Sequence, residues 1–151
     1  MKYQLDILIK APLKTCIEKF DTTENLKHWQ RGFVSAEHIS GTPRAFGSKM
    51  KMHFKIGSRR IPLIETITYK NLPNAVHGIY TTKGLDNIQE NYFEATTDNC
   101  TKWISVNEFV PLNFKMLLLV FLMPKTFKKQ TLLYMKDYKN FVEKGISVSH
   151  A

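Results

Sequence analysis

The stretch KMKMHFKI (49–56), GS (57–58), RRIPLIETITY (59–69) decides the fold. In its first part Met50, Met52, Phe54 and Ile56 alternate with Lys49, Lys51, His53 and Lys55. A side-chain period of two with one apolar and one charged face is the signature of a half-buried strand. Gly57-Ser58 suits a two-residue hairpin turn, because glycine supplies the positive φ such a turn needs. Arg59–Tyr69 then returns as a second strand. The stretch therefore predicts an antiparallel hairpin.

The same signals continue on both sides. Phe33–Ser40 reads as a strand closed by Gly41-Thr42-Pro43. Beyond the hairpin, Asn71–Asn74 holds a Pro-containing turn, Ala75–Thr82 a strand, and Lys83–Asn87 another turn around Gly84. Ile88–Thr96 and Thr101–Val110 follow, separated by Asp98-Asn99. At the N-terminus Tyr3, Leu5, Ile7 and Ile9 alternate with Lys2, Gln4, Asp6 and Lys10, adding a first strand. Short links between about seven strands predict one antiparallel sheet.

Helical spacing marks the two ends. After Pro12, which suits a first helical turn, Leu13, Cys16, Ile17 and Phe20 recur at helical intervals. Asp21-Thr22-Thr23 offers N-cap oxygens to a second short helix carrying Leu26 and Trp29. After Pro124, Phe127, Thr131, Tyr134, Tyr138 and Phe141 form the apolar stripe of a long helix that Gly145 should stop. Residues 147–151 are expected to fray. The expected layout is a single domain: first strand 1–10, two short helices 12–30, sheet 33–110, an apolar segment 112–123 and a long helix 124–144.

Composition bounds the function. A chain of 151 residues needs no disulfide or metal staple. It carries 22 Lys and Arg against 13 Asp and Glu, a net charge of +9, and ten Phe, six Tyr and two Trp. Met1–Lys10 lacks the apolar run of a signal peptide, and no stretch reaches the ~20 apolar residues that span a bilayer. Cys16 and Cys100 are expected to be small buried hydrophobes, with a disulfide as the alternative. The expected compartment is the cytoplasm.

Strand, two short helices, a run of antiparallel strands and one long terminal helix resembles the START-like (SRPBCC) superfamily. That group includes Bet v 1-like and polyketide cyclase/dehydrase-like proteins. The resemblance is carried by Ile9-Lys10-Ala11-Pro12, Phe20-Asp21, Asn25 and Trp29, then Gly41 and Gly47, Glu65-Thr66-Ile67, Thr101-Lys102-Trp103 and the terminal helix. It covers roughly residues 3 to 144. It implies an α+β helix-grip fold, a seven-stranded antiparallel sheet wrapped around the C-terminal helix, with an internal cavity for hydrophobic small molecules or lipids. It does not imply one activity, since the fold hosts carriers, cyclases, receptors and co-chaperones.

Candidate cavity residues are Trp29, Met50, Met52, Phe54, Glu65, His77, Tyr80, Tyr92, Trp103, Phe127, Tyr134 and Tyr138. Methionines and large rings suit an adaptable apolar pocket, and tyrosine hydroxyls can orient a polar group; the alternative is an ordinary packed core. Glu65 shares a face with Ile61, Leu63, Ile67 and Tyr69, where burial would favour its neutral form and make it the one candidate acid or ligand anchor. Alternatively Ile64 marks the buried face, or Glu65 pairs with Arg59 or Arg60. His77 points inward if Ala75, Ile79 and Thr81 do, outward if Val76 and Tyr80 do.

Catalytic signatures are missing. The sequence has no GxSxG, no HExxH or other metal-ligand spacing and no glycine-rich loop opening a helix. No metal or cofactor is implied. Enzymatic function as a cyclase or dehydratase stays an alternative to small-molecule binding, as does a role as an interaction protein, Hsp90-activator-like or membrane-docking. The basic run Arg44, Lys49, Lys51, Lys55, Arg59, Arg60 has no aromatic residues on its solvent face for base stacking, so nucleic acid is not an expected partner. The apolar run 112–123, flanked by Lys115, Lys125, Lys128 and Lys129, is expected to be buried in the fold; a lid, or a patch that docks on a membrane periphery or a partner, is the alternative. Oligomeric state is not legible.

Overall fold

A computed structural model describes residues 1–149. The elements in chain order are β1 (Lys2–Ile9), α1 (Leu13–Phe20), a 3-10 turn (Thr23–Asn25) running into α2 (Leu26–Trp29), β2 (Phe33–Ser40), β3 (Lys49–Ile56), β4 (Arg59–Asn71), β5 (Ala75–Thr82), β6 (Leu85–Ala95), β7 (Thr101–Pro111), α3 (Phe114–Leu122) and α4 (Pro124–Lys144). All seven strands form one antiparallel sheet in the order β1-β7-β6-β5-β4-β3-β2. Strands β2 to β7 are consecutive neighbours. Only β1 is displaced, pairing with β7 from Lys2↔Glu108 to Ile9↔Thr101. The chain crosses between the two sheet edges through α1 and α2, which puts both short helices on the same side as α4.

The hairpin turns are as tight as their chemistry permits. Gly57, at φ +62°, opens the β3–β4 turn. The β5–β6 turn is confined to Lys83-Gly84, with Gly84 at φ +88°, rather than running to Asn87 as the sequence suggested. Leu85–Asn87 are therefore strand. Helix α1 buries Cys16 and Phe20. The expected N-cap role of Asp21–Thr23 is not taken up: no side chain caps the following turn. Thr22 donates instead to the Glu18 carbonyl, and Asp21 turns its carboxylate to two cations.

Helix α4 buries Met135, Asp137 and Tyr138 and stops at Gly145, at φ +67°, whose N–H bonds the Phe141 carbonyl at 3.0 Å. The residues after it do not fray as expected. Val148 N–H donates to the His28 carbonyl at 3.0 Å, and the Ser147 hydroxyl meets His28 Nδ1 at 2.8 Å. Residues 150 and 151 of that expected tail lie outside the described residues.

The core is aromatic. Phe20 stands in the middle, its ring centroid 5.4 Å from Trp29, 5.0 Å from Phe93, 5.4 Å from Trp103 and 5.7 Å from Tyr138. Most of these contacts are edge-to-face, the arrangement that ring quadrupoles favour by about 0.5–1.5 kcal/mol per pair beyond area burial. Tyr138 is fully buried, and its hydroxyl donates to the Cys16 carbonyl, locking α4 to α1.

Candidate functional site

Register decides which side chains face the helices. Phe93 pairs with Trp103, so the residues alternating with them, Asn91, Gln89 and Asn87 on β6 and Ser105, Asn107 and Phe109 on β7, share the concave face. Across β5 and β4 the face continues through Val76, Gly78 and Tyr80 to Ile67 and Glu65, and across β3 through Met50, Met52 and Phe54. At the end of this face near α1 and α2, the space beneath α4 is taken up by the aromatic cluster. Toward the other end Leu63, Tyr80, Asn87 and Gln89 are only half-buried, because the N-terminal half of α4 lies over β1 and β7. There Phe127 rests on Phe109 at 4.7 Å and its carbonyl accepts from the Tyr3 hydroxyl at 3.1 Å.

A row of amides and a hydroxyl crosses this mostly apolar face. Gln89 Nε2 donates to Asn87 Oδ1 at 2.7 Å, Asn87 Nδ2 to Asn107 Oδ1 at 3.3 Å, and Asn107 Nδ2 to Ser105 Oγ at 2.9 Å. Beside the row, Trp103 Nε1 donates to Asn91 Oδ1 at 3.0 Å. Asn91, Ser105 and Asn107 are buried. The Trp29 Nε1–H is also buried, and among the described residues it has no acceptor. A buried polar group without a partner costs about 1–3 kcal/mol.

Next to the row sits a cluster of charges. Glu65, on the concave face, is buried and accepts from Arg44 Nη1 at 2.7 Å. Arg44, at φ +63° in the β2–β3 loop, also donates from Nε to Asp21 Oδ1 at 3.2 Å. Lys70 Nζ reaches Asp21 Oδ2 at 2.6 Å and the Arg44 carbonyl at 2.5 Å. Two acids and two bases thus clamp the loop 41–48 against α1 and β4. Tyr80 is the register partner of Glu65. Burial, and then the Glu65 charge, hold its phenol well above the ordinary tyrosine value.

The sequence-predicted residues divide between two faces. Trp29, Trp103 and Tyr138 are in the aromatic cluster; Met50, Met52, Phe54, Glu65 and Tyr80 line the concave face. Phe127 covers Phe109, and Tyr134 donates from its hydroxyl to the Arg31 carbonyl at 3.3 Å. His77 and Tyr92 face the convex side. Their rings form a chain with the exposed Tyr69, at 5.0 Å from Tyr69 to His77 and 4.9 Å from His77 to Tyr92, and Tyr92 donates to Glu90. The bulge between Ile67 and Tyr69 turns Tyr69 away from the face of Glu65. Glu65 takes its base from Arg44 rather than from Arg59 or Arg60.

Reading the sequence missed Asn87, Gln89, Asn91, Ser105, Asn107 and Arg44. In Asp86–Tyr92 the inward set is Asn87, Gln89 and Asn91 while Ile88 and Tyr92 stand on the other face with Asp86 and Glu90, so only pairing with Phe93 and Trp103 tells the faces apart.

The apolar segment is not buried as expected. In α3 only Val120 is buried, while Phe114 is 76% and Phe121 78% exposed. The helix has little to lie on beyond the end of β7. Two surface clefts, one of about 390 Å³ beside Arg31, Asp137 and Ile146 and one of about 370 Å³ beside Met1, Leu117 and Phe121, lie away from the concave face. Among the described residues no cluster of His, Cys, Asp and Glu could hold a metal ion, and no helix is long and apolar enough to cross a membrane.

This architecture is the START-like helix-grip fold, a seven-stranded antiparallel sheet folded around a long C-terminal helix. Solved structures share it over nearly their whole length. Protein CV1439 from Chromobacterium violaceum superposes with a TM-score of 0.75 at 16% identity, covering 95% of this chain and 98% of its own. Ara h 8.0201 superposes at 0.74 and 12% identity, covering 94% and 97%. ZhuI aromatase/cyclase from Streptomyces sp. R1128 superposes at 0.73 and 10% identity, covering 95% and 94%. No family model and no curated protein matches the sequence. At these identities the likeness is one of fold.

Proposed function

We propose that the chain binds a hydrophobic or amphipathic small molecule, in the cytoplasm, between the concave face of the sheet and α4. The observation that carries this reading is the polar row Gln89–Asn87–Asn107–Ser105 on a face whose other side chains, apart from Glu65 and Asn91, are mostly apolar or aromatic. Packing alone gives no reason for a line of amides here, buried at Asn107 and half-open at Asn87 and Gln89, where apolar side chains would fill the space without needing partners. A ligand's polar end against the row, with its apolar body on the half-buried Leu63 and Tyr80, gives one. The orphaned Trp29 N–H offers a further donor. Affinity would come from apolar burial at ~25 cal/mol per Å², less the cost of ordering.

Acid–base chemistry of the cyclase or dehydratase kind is the second reading, favoured by the juxtaposition of Glu65 and Tyr80. Against it, one Glu65 oxygen is already engaged by Arg44.

Native mass spectrometry of the protein purified from cells, followed by thermal shift with fatty acids and fused-ring aromatics, tests the binding reading. A ligand at a hundredfold excess over Kd raises stability by about 2.7 kcal/mol and Tm by roughly 5–10 °C. Gln89→Leu should reduce that shift. A protein that carries nothing and shifts with none of the compounds would sink the reading.

A further inference from the structure

The end of the sheet that carries α3 combines two features that lie apart in the sequence. Helix α3 is inverted relative to a core helix. Met116 and Val120 point down, and the wide arc of Phe114, Leu117, Leu118, Phe121 and Leu122 points out, each between 46% and 78% exposed. Its place is held firmly. Asn113 caps it by accepting from the Met116 N–H at 2.9 Å, and Leu112 N–H bonds the Gly84 carbonyl at 2.8 Å. Such a patch is uncommon on a monomeric soluble domain and marks a surface with a partner.

Charge says what that partner is. Between Glu108 and Asp137 the chain has five lysines and no acid, and Lys115, Lys125, Lys128 and Lys129 stand exposed around α3. The topology brings more. Leu85 pairs with Pro111 and Thr82 with Leu85, so Lys83 sits at the same sheet end. The β3–β4 hairpin, with Lys55, Arg59 and Arg60 and an Ile56 that is 54% exposed, projects from that end as well. Among the described residues none of these cations is in a salt bridge. An exposed apolar helix ringed by unpaired cations matches an anionic bilayer surface, in which the apolar face enters the acyl boundary and the lysines meet headgroups.

We propose that this end of the domain docks on anionic membranes, with α3 lying in the interface. At nine residues, roughly 13 Å, the helix lies in the plane of the membrane rather than across it. This inference stands apart from the ligand reading, since the docking surface shares no residue with the polar row.

Flotation of the purified protein with phosphatidylcholine vesicles, with and without phosphatidylglycerol, tests it. The protein should float with the anionic vesicles at low salt and be released at high salt, as screening of surface charge requires. Changing Lys125, Lys128 and Lys129 to Gln should weaken partitioning by about fivefold for each lysine removed. L118S/F121S should abolish flotation while leaving the melting temperature unchanged, because both side chains are exposed. Equal flotation with neutral and anionic vesicles, no flotation with either, or variants that float like the parent would each overturn the proposal. So would sedimentation showing a dimer that L118S/F121S dissociates, since a second copy would then be what covers α3.

Discussion

Arg44 Nη1 lies 2.7 Å from Glu65 Oε1, joining a loop residue to the middle of β4, with the Glu65 side chain only 5% exposed and the Arg44 side chain 17% exposed. Burial works against the Arg44 charge, but Glu65 and then Tyr80 and Asp21 outweigh it and leave the guanidinium pKa raised. Removing one partner of such a pair strands the other. Arg44→Met is expected to destabilise the fold by about 3 kcal/mol, because Glu65 would keep its burial and lose its cation. R44M/E65L should recover most of that loss. Urea denaturation of the parent, R44M, E65L and the double variant checks it; a double variant as unstable as the sum of the two singles would show that the pair is not coupled.

Alkaline pH should unfold the domain. Burial raises the phenol pKa values of Tyr138, Tyr80 and Tyr134 above the ordinary tyrosine value near 10. The folded state then holds protons that the unfolded state gives up. Stability from these groups is complete below pH 10 and falls as pH rises above it, by about 1.4 kcal/mol per pH unit for Tyr138 alone. Melting temperature measured at increasing pH should drop above pH 10, and more shallowly in Tyr138→Phe, measured against that variant's own neutral value.

The two thiols should differ in reactivity. Cys16 is fully buried, under the Tyr138–Cys16 bond, and burial raises its pKa. Cys100 is partly exposed, and both are free. A thiol reagent is expected to modify Cys100 in the native protein and Cys16 only on unfolding. Equal rates for both would mean that α1 and α4 separate readily.

Gly32 has no room for a side chain. It sits at φ +79°, and a Cβ there would lie 2.6 Å from the Lys55 carbonyl oxygen, which is backbone and cannot step aside. Gly32→Ala is therefore expected to cost at least about 2 kcal/mol, combining the left-handed penalty with displacement of the β2–β3 pairing. Gly57 is also at positive φ, +62°, but a Cβ there meets nothing. Gly57→Ala should cost less, and thermal melts of the two variants separate conformational strain from collision.

Legibility along the chain followed how sharply polarity differed between faces. Lys49–Ile56 was readable because one face is wholly Lys and His and the other is apolar until its exposed tip. Asp86–Tyr92 was not, since Asn87, Gln89 and Asn91 alternate with Asp86, Ile88, Glu90 and Tyr92, and the set with the apolar residues is the one that faces outward. The Glu65 partner was unreadable for a different reason. Arg59 is six residues away along an extended strand, roughly 20 Å, while Arg44 arrives from a loop folded back over the same strand.

What the sequence alone determined is the series of elements: strands of period two, the capped amphipathic α4, the glycines at turns, and the lack of any nucleophile or metal spacing. Those depend on neighbours a few residues apart. Only the tertiary structure decided which polar residues face inward, that Arg44 serves Glu65, and that the most apolar run in the chain lies outside. These depend on register between strands and on where an element finds a surface to cover. An apolar segment is buried only if something lies opposite it, and beyond the end of β7 nothing in the described chain covers the outer face of α3.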